Sequence, residues 1–282
     1  MAPPAVPVAR MTPLITLIGC GKMGSAMLRG WLADTSLAAE FAIVEPFQDH
    51  LGWTADHANI QLFDTVESCA AAGKAARMIV LAVKPQMMED AIAGLGALAG
   101  PETGFLSIAA GIPTSWFRSR LGDNAAILRS MPNTPAAIGM GVTALCAGPD
   151  APADLVALSE QLLSAIGTVV RVDDEALMDA VTALSGSGPA YVFLLAEVMT
   201  RAGIAAGLPD DLARRLAEAT VSGAGALIDA ADEPPSQLRV NVTSKGGTTA
   251  AALAVLMADD GMAPLLERAI LAARDRSVEL GG

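Results

Sequence analysis

Aromatic side chains are scarce: they make up 4% of the 282 residues, whereas hydrophobic residues as a whole make up 52%. The core must therefore be aliphatic and alanine-rich, as in packed helices. Positive charge is short as well, with 18 Lys and Arg against 30 Asp and Glu and a net charge of −12. That balance excludes nucleic acid as an expected partner, because a phosphate backbone needs a basic patch. An anionic ligand would need local cations or helix N-termini to overcome the overall field. The three cysteines, Cys20, Cys69 and Cys146, are far apart and form no CxxC pair, which suits a reducing cytosol and not a disulfide scaffold. There is no metal-ligand cluster, GxSxG elbow or Walker loop, so metal hydrolysis, serine hydrolysis and kinase chemistry are unsupported. The apolar stretch at residues 191–195 is far shorter than the ~20 residues needed to cross a bilayer. Residues 1–12 read as a Pro/Ala-rich disordered tail without the apolar segment of a signal peptide. A soluble, cytoplasmic protein is expected.

The chain contains two contrasting halves. Apolar runs at 14–18, 41–44, 78–83, 105–108, 126–129, 142–146 and 169–172 predict strands. Residues 23–32, 87–98 and 153–166 between them predict helices. Such alternation implies a parallel sheet covered on both faces. After Asp173 the runs 177–184, 190–206, 212–230, 249–257 and 264–278 all predict helices, broken by SGSGP at 185–189. The expected organisation is a Rossmann-type, doubly wound α/β domain at 13–172 and an all-α domain at 173–282. The second half is apolar on too many faces to stand alone, so its helices are expected to bury against a partner.

Two segments carry chemistry. GCGKMG, at 19–24, follows the strand LITLI and opens a helix. Gly19 permits the tight turn, Gly21 lets the backbone approach a pyrophosphate, and Gly24 allows close helix–strand contact. Glu45 ends the second strand, where a carboxylate accepts ribose hydroxyls and repels a 2′-phosphate. No Lys or Arg lies between Arg29 and Lys74 to hold that phosphate. Val83, Lys84 and Pro85, then Ala110, then Asn133 end three further strands, and ligands of open α/β sheets bind outside those ends. The only histidines, His50 and His57, lie just past the second strand, near the adenine end of such a ligand. Both read as surface residues, so a mechanism without histidine is expected. The second segment, NVTSKGGTT at 241–249, combines Thr243, Ser244, Thr248 and Thr249 with a Gly246–Gly247 pair and runs into a helix. Free helix-terminal N–H groups there suit a small carboxylate.

GCGKMG, AVKP, SIAAGIP, RSMPNTP, ALSGSGPAY and QLRVNVTSKGGTT occur in this order, and the chain resembles the pyrroline-5-carboxylate reductase family from Leu14 to about Leu280. The resemblance implies an NAD(P)H-dependent oxidoreductase of proline biosynthesis. It also implies a C-terminal domain that interlocks with a second copy in a homodimer, often assembled further into rings. The dinucleotide would contact Gly19, Gly21, Lys22, Met23, Gly24, Glu45, Val83, Lys84, Pro85, Ala110 and Asn133. The substrate would meet Asp232, Ser244, Gly246, Gly247, Thr248 and Thr249, with Thr249 hydrogen-bonding the ring nitrogen and Ser244 beside it as the second catalytic candidate. Two departures stand out. Lys245 replaces the usual proline of SPGG, which adds a cation, and Glu45 stands where NADPH-preferring members carry small polar residues. NADPH or NADH therefore both remain open, with Glu45 leaning to NADH. Two alternatives remain: a 3-hydroxyacid dehydrogenase of the 6-phosphogluconate type, which needs a catalytic lysine on a helix, and a non-catalytic dinucleotide-binding protein.

Overall fold

The computed structural model describes residues 12–148 and 150–281. It falls into two compact units. The first runs through Thr182 and regains the chain from Ser277; the second spans Ala183–Arg276.

The first unit is built on an eight-stranded sheet: β1 (Leu14–Ile18), β2 (Glu40–Val44), β3 (Ile60–Phe63), β4 (Ala76–Leu81), β5 (Ala99–Ser107), β6 (Ala126–Met131), β7 (Gly141–Ala147) and β8 (Gly167–Arg171). The strand order is 3-2-1-4-5-6-7-8, parallel except where β6 meets β7. Helices α1 (Lys22–Ala33), α2 (Val66–Ala71), α3 (Met88–Ile92), α4 (Thr114–Leu121), α5 (Ala153–Ser164) and α6 (Met178–Val181) complete it. Successive strand residues point to opposite faces, and both faces are covered. Ile15, Leu17, Phe41, Ile43, Met78, Val80, Leu106 and Leu128 pack with α1 and α5. Ile18, Ala42, Val44, Ile79, Leu81, Phe105 and Ile127 pack with residues of α2, α3 and α4. Trp31 of α1 stacks on Phe41 at 5.6 Å and donates its indole N–H to the Leu162 carbonyl of α5 at 2.8 Å, tying the two helices together.

The predicted strands are present, but the sheet is not wholly parallel, since β7 runs antiparallel to β6, and further details differ. Strand β3 and helices α2 and α4 come in addition: β3 is a short edge strand interrupted by exposed Gln61, too weak a pattern to read. Residues 87–98 do not form one helix. The α3 turn ends at Ala93, where the backbone becomes extended, and Gly94 turns left-handed with φ +82° before a short 3-10 turn at Leu95–Ala97.

The compact units divide at 182/183, against the expected domain boundary at 172/173. Residues 173–182 stay with the sheet because Met178 is buried against Ala144 and Cys146. Glu175 also accepts Thr114 N–H at 2.8 Å, Thr114 Oγ1–H at 2.6 Å and Arg129 Nη1–H at 3.2 Å. Arg129 is 4% exposed. Glu175→Ala leaves that guanidinium without its anion and is expected to destabilise the protein by about 2 kcal/mol, measurable as a lowered urea midpoint at unchanged m-value. The chain end returns as well: Ser277 Oγ bonds Asp179 Oδ1 at 2.6 Å, a link spanning 98 residues that local pattern cannot reveal.

The second unit is all helical. It contains α7 (Gly188–Ala205), α8 (Asp210–Ala230), α9 (Pro235–Asn241), α10 (Thr248–Leu256) and the greater part of α11 (Met262–Gly281). A π turn at Thr182–Gly186 leads into α7, and Tyr191 donates its hydroxyl to the Ala183 carbonyl at 2.9 Å. Pro189 sits in the first turn of α7, where its missing N–H costs nothing. Neither α7 nor α10 has a buried residue, and Val192, Phe193, Leu194, Leu216, Leu227, Val255 and Leu266 are exposed in the single chain. The helical stretch Glu175–Ala205 is long and apolar enough by composition to cross a membrane, so residues 191–195 understated the apolar run.

Candidate dinucleotide and anion sites

The parallel strands end in one row across the sheet: Val44, Ile18, Leu81, Ser107 and Arg129 are successive register partners. Their following residues form the candidate dinucleotide site at the switch point between β1 and β4, where strand order reverses. Gly19 takes φ +86° and donates its N–H to the Val44 carbonyl at 2.9 Å. A Cβ on Gly19 would lie 2.7 Å from Val83 Cγ1, and one on Gly24 would lie 2.3 Å from the Gly19 carbonyl oxygen. These two glycines are therefore required by packing. Gly21 differs, because a Cβ there meets nothing within 4 Å. It faces the open side of the loop and caps α1 without a side-chain hydrogen bond. The first-turn N–H groups at Lys22, Met23 and Gly24 lack intrahelical partners, an arrangement that fits a pyrophosphate.

Glu45 is 9% exposed. Its Oε2 accepts the Cys20 N–H at 2.8 Å and its Oε1 accepts the Phe47 N–H at 3.0 Å. The carboxylate thus reaches the glycine-rich loop, a contact the sequence does not announce. His50 is exposed on the short 3-10 turn Asp49–Thr54, as its surface reading has it, and it also contributes to the loop: Nε2 lies 2.8 Å from the Cys20 carbonyl. Because a carbonyl only accepts, the proton is on Nε2. Past β4, Lys84 precedes the 3-10 turn Pro85–Met87, whose Met87 N–H bonds the Lys84 carbonyl at 2.9 Å. Past β5 comes Ala110 and then Gly111, at φ +76°; a Cβ on Gly111 would lie 3.3 Å from Gly281 N, so the returning chain end backs this loop. Past β6, Asn133 is buried and its Oδ1 accepts the Val142 N–H at 3.0 Å. The three thiols are buried, and burial raises the pKa of each, Cys20 included.

The second candidate site lies wholly in the helical unit. The chain turns at 244–247, with Gly247 N–H bonding the Ser244 carbonyl at 3.1 Å and Gly246 at φ +74°. Helix α10 starts at Thr248 with Gly247 as its N-cap and no side-chain cap. The hydroxyls of Ser244, Thr248 and Thr249 have no partner among the described residues, whereas Thr243 Oγ1 donates to the Arg239 carbonyl at 2.6 Å. Unpaired N–H groups and unpaired hydroxyls therefore gather at one helix terminus. Of the acidic pair before it, Glu233 rather than Asp232 reaches this segment: Asn241 Nδ2 donates to Glu233 Oε2 at 2.8 Å. Lys245 sits in the turn, not on a helix.

The fold and the glycine-rich loop define a dinucleotide-binding oxidoreductase. Residues 14–111 match the family described as NADP oxidoreductase, coenzyme F420-dependent, and residues 175–280 match pyrroline-5-carboxylate reductase dimerisation. Pyrroline-5-carboxylate reductase of Pseudomonas aeruginosa is 41% identical over 95% of this chain and 97% of its own length. The Synechocystis enzyme of that name is 38% identical over 96% and 99%. A pyrroline-5-carboxylate reductase structure from Coxiella burnetii superposes with a TM-score of 0.86 at 31% identity, covering 96% of this chain and 99% of that one. A Plasmodium falciparum structure with NADP bound gives 0.79 at 26% identity, covering 96% and 100%. The chain belongs to the pyrroline-5-carboxylate reductase family. The apolar stretch Glu175–Ala205 falls entirely within the segment matched to dimerisation.

Proposed function

We propose that the protein reduces 1-pyrroline-5-carboxylate to L-proline with NADH or NADPH, the last step of proline biosynthesis, in the cytoplasm. The observation that carries the reading is the uncapped α10 terminus with its unpartnered Ser244, Thr248 and Thr249 hydroxyls, in a chain that also holds a glycine cradle for a dinucleotide. When bound, the nicotinamide supplies the hydride. The amides of Gly246 and Thr248 hold the substrate carboxylate, the Gly247 N–H being turned to the Ser244 carbonyl, and Lys245 adds a cation beside it. The Thr249 hydroxyl holds the ring nitrogen. Protonated there, the imine carbon is the better electrophile, so aligning it is the protein's main task; positioning of this kind is worth ~7–11 kcal/mol.

Oxidation of NADH or NADPH by the purified protein should depend on pyrroline-5-carboxylate, followed by the fall in reduced-nicotinamide absorbance. Open-chain 3-hydroxyacids should be poor substrates with the oxidised cofactor. Turnover of those acids with the imine inert would instead favour the hydroxyacid dehydrogenase, although that enzyme needs a catalytic lysine in the helical half, where Lys245 stands alone and sits in a turn. Cofactor binding without any turnover would favour a sensor. With Glu45, and with no Lys or Arg in the sequence between Arg29 and Lys74, NADH should serve at least as well as NADPH.

The exposed apolar residues of α7, α8 and α10 support an obligate homodimer, since such interfaces resemble a core cut in half, with ring assembly as its extension. Light scattering at sub-micromolar concentration should give at least twice the 28.6 kDa chain mass; a folded monomer would contradict the dimer.

A further inference from the structure

We propose that Glu45 and His50 are positioning residues that clamp Cys20 from both sides and hold the glycine-rich loop in its nucleotide-receiving shape before the cofactor arrives. The proposal rests on the reading of that loop as the dinucleotide site. Cys20 is the loop residue between the two glycines that must turn and open, and it is fully buried. Its N–H goes to Glu45 Oε2 at 2.8 Å. Its carbonyl receives two side-chain donors, Ser25 Oγ at 2.8 Å and His50 Nε2 at 2.8 Å. Glu45 is itself aimed by the Phe47 N–H on its other oxygen. The three side chains come from three places: the end of β2, the turn behind it, and α1. Neither peptide group of Cys20 can rotate without breaking one of these bonds, so the Gly21 N–H and the α1 terminus keep their direction.

Glu45 consequently has two separable effects. Each carboxylate oxygen accepts one backbone N–H and keeps a lone pair, so it can still meet ribose hydroxyls while its charge opposes a 2′-phosphate. Charge changes the ratio of NADH to NADPH binding. The clamp changes the binding of both in parallel, and His50 belongs to the clamp alone.

The test uses the full-length protein without cofactor and then with each dinucleotide. Thiol labelling, read at Cys20 against buried Cys69 and Cys146 by peptide mass spectrometry, reports the loop directly. Fluorescence titration gives both dissociation constants. His50→Ala should raise Cys20 labelling selectively and weaken both dinucleotides by about 3- to 10-fold, the usual weight of one hydrogen bond, at an unchanged ratio. His50→Gln, which can place an amide N–H near the position of Nε2, should restore both. Glu45→Gln keeps one acceptor, for Cys20, and gives up the Phe47 N–H, so it should shift chiefly the ratio, toward NADPH; Glu45→Ala should weaken both more. A His50→Ala protein with unchanged Cys20 labelling overturns the clamp. So does one whose loss falls on a single dinucleotide, since His50 would then read the nucleotide directly. If the wild type binds neither dinucleotide while Cys20 labelling still rises in His50→Ala, the cofactor reading fails and takes the nucleotide-receiving role with it.

Discussion

Gly21→Val is expected to abolish dinucleotide binding and to leave the protein folded. The two consequences separate because of where Gly21 sits. A Cβ at this position meets no atom within 4 Å, and the backbone, at φ −66° and ψ −154°, is extended and open to any residue. Replacing glycine also removes freedom from the unfolded chain, which favours folding by about 0.4–1 kcal/mol. The melting temperature should therefore hold or rise slightly. In the proposed dinucleotide site, the space a valine would fill is the space through which a pyrophosphate approaches the α1 N–H groups. Affinity should fall at least about 100-fold, or roughly 2.8 kcal/mol, for both NADH and NADPH. Gly24→Ala gives the contrasting pattern. Its Cβ would stand 2.3 Å from the Gly19 carbonyl oxygen, a backbone atom that cannot step aside, so α1 must move off β1. Overpacking of that kind costs about 1–3 kcal/mol of stability, and the melting temperature should drop along with binding. Calorimetry and a cofactor titration on both variants distinguish the patterns. Near wild-type binding by Gly21→Val would mean that the pyrophosphate does not lie over this loop.

The parts of the fold that were legible are those in which each residue's pattern agrees with its place in the sheet. Strands β1, β2 and β4 are near-continuous apolar runs, interrupted only by Thr16, Glu40 and Arg77, because helices cover both of their faces. Gly19 and Gly24 of the loop are legible because a left-handed turn and a close helix–strand approach demand them. The uncapped start of α10 is legible because a Gly–Gly pair precedes an apolar helical run. What escapes the sequence is mostly long-range. Helix α4, TSWFRSRL, has little amphipathic pattern; it is held by buried Phe117 and by Arg120 stacked on Trp116 at 3.9 Å. Residues 173–182 look like the start of the helical half and are retained by the sheet through Glu175 and Met178. His50 escapes for another reason. Its partner is a backbone carbonyl, and a carbonyl carries no mark in the sequence. Glu45 is legible as a carboxylate at a strand end, but not as a ligand of the loop, since both uses ask for the same residue.

Thr249→Val is expected to lower turnover about 100-fold while cofactor binding and stability stay close to wild type. Valine keeps the branched shape and removes one hydroxyl. If that hydroxyl holds the imine nitrogen, its loss resembles the loss of one hydrogen-bonding group in a preorganised site, worth ~2.7–4 kcal/mol. The lower end applies because solvent or the substrate itself can supply the proton. A competing role would be helix capping, worth ~1 kcal/mol of stability. The geometry speaks against it: the N-cap of α10 is Gly247, no side chain caps the helix, and Thr249 lies one residue inside the first turn. Its hydroxyl has no partner among the described residues, so removing it breaks no bond among them. Thr248→Val should cost less, because the carboxylate is assigned to that residue's backbone amide and not to its side chain. Steady-state kcat with pyrroline-5-carboxylate, an NADH titration and a melting curve, all on the same preparation, decide between these roles. A lowered melting temperature with turnover intact would make Thr249 a structural residue and move the nitrogen contact elsewhere, with Ser244 the next hydroxyl to test.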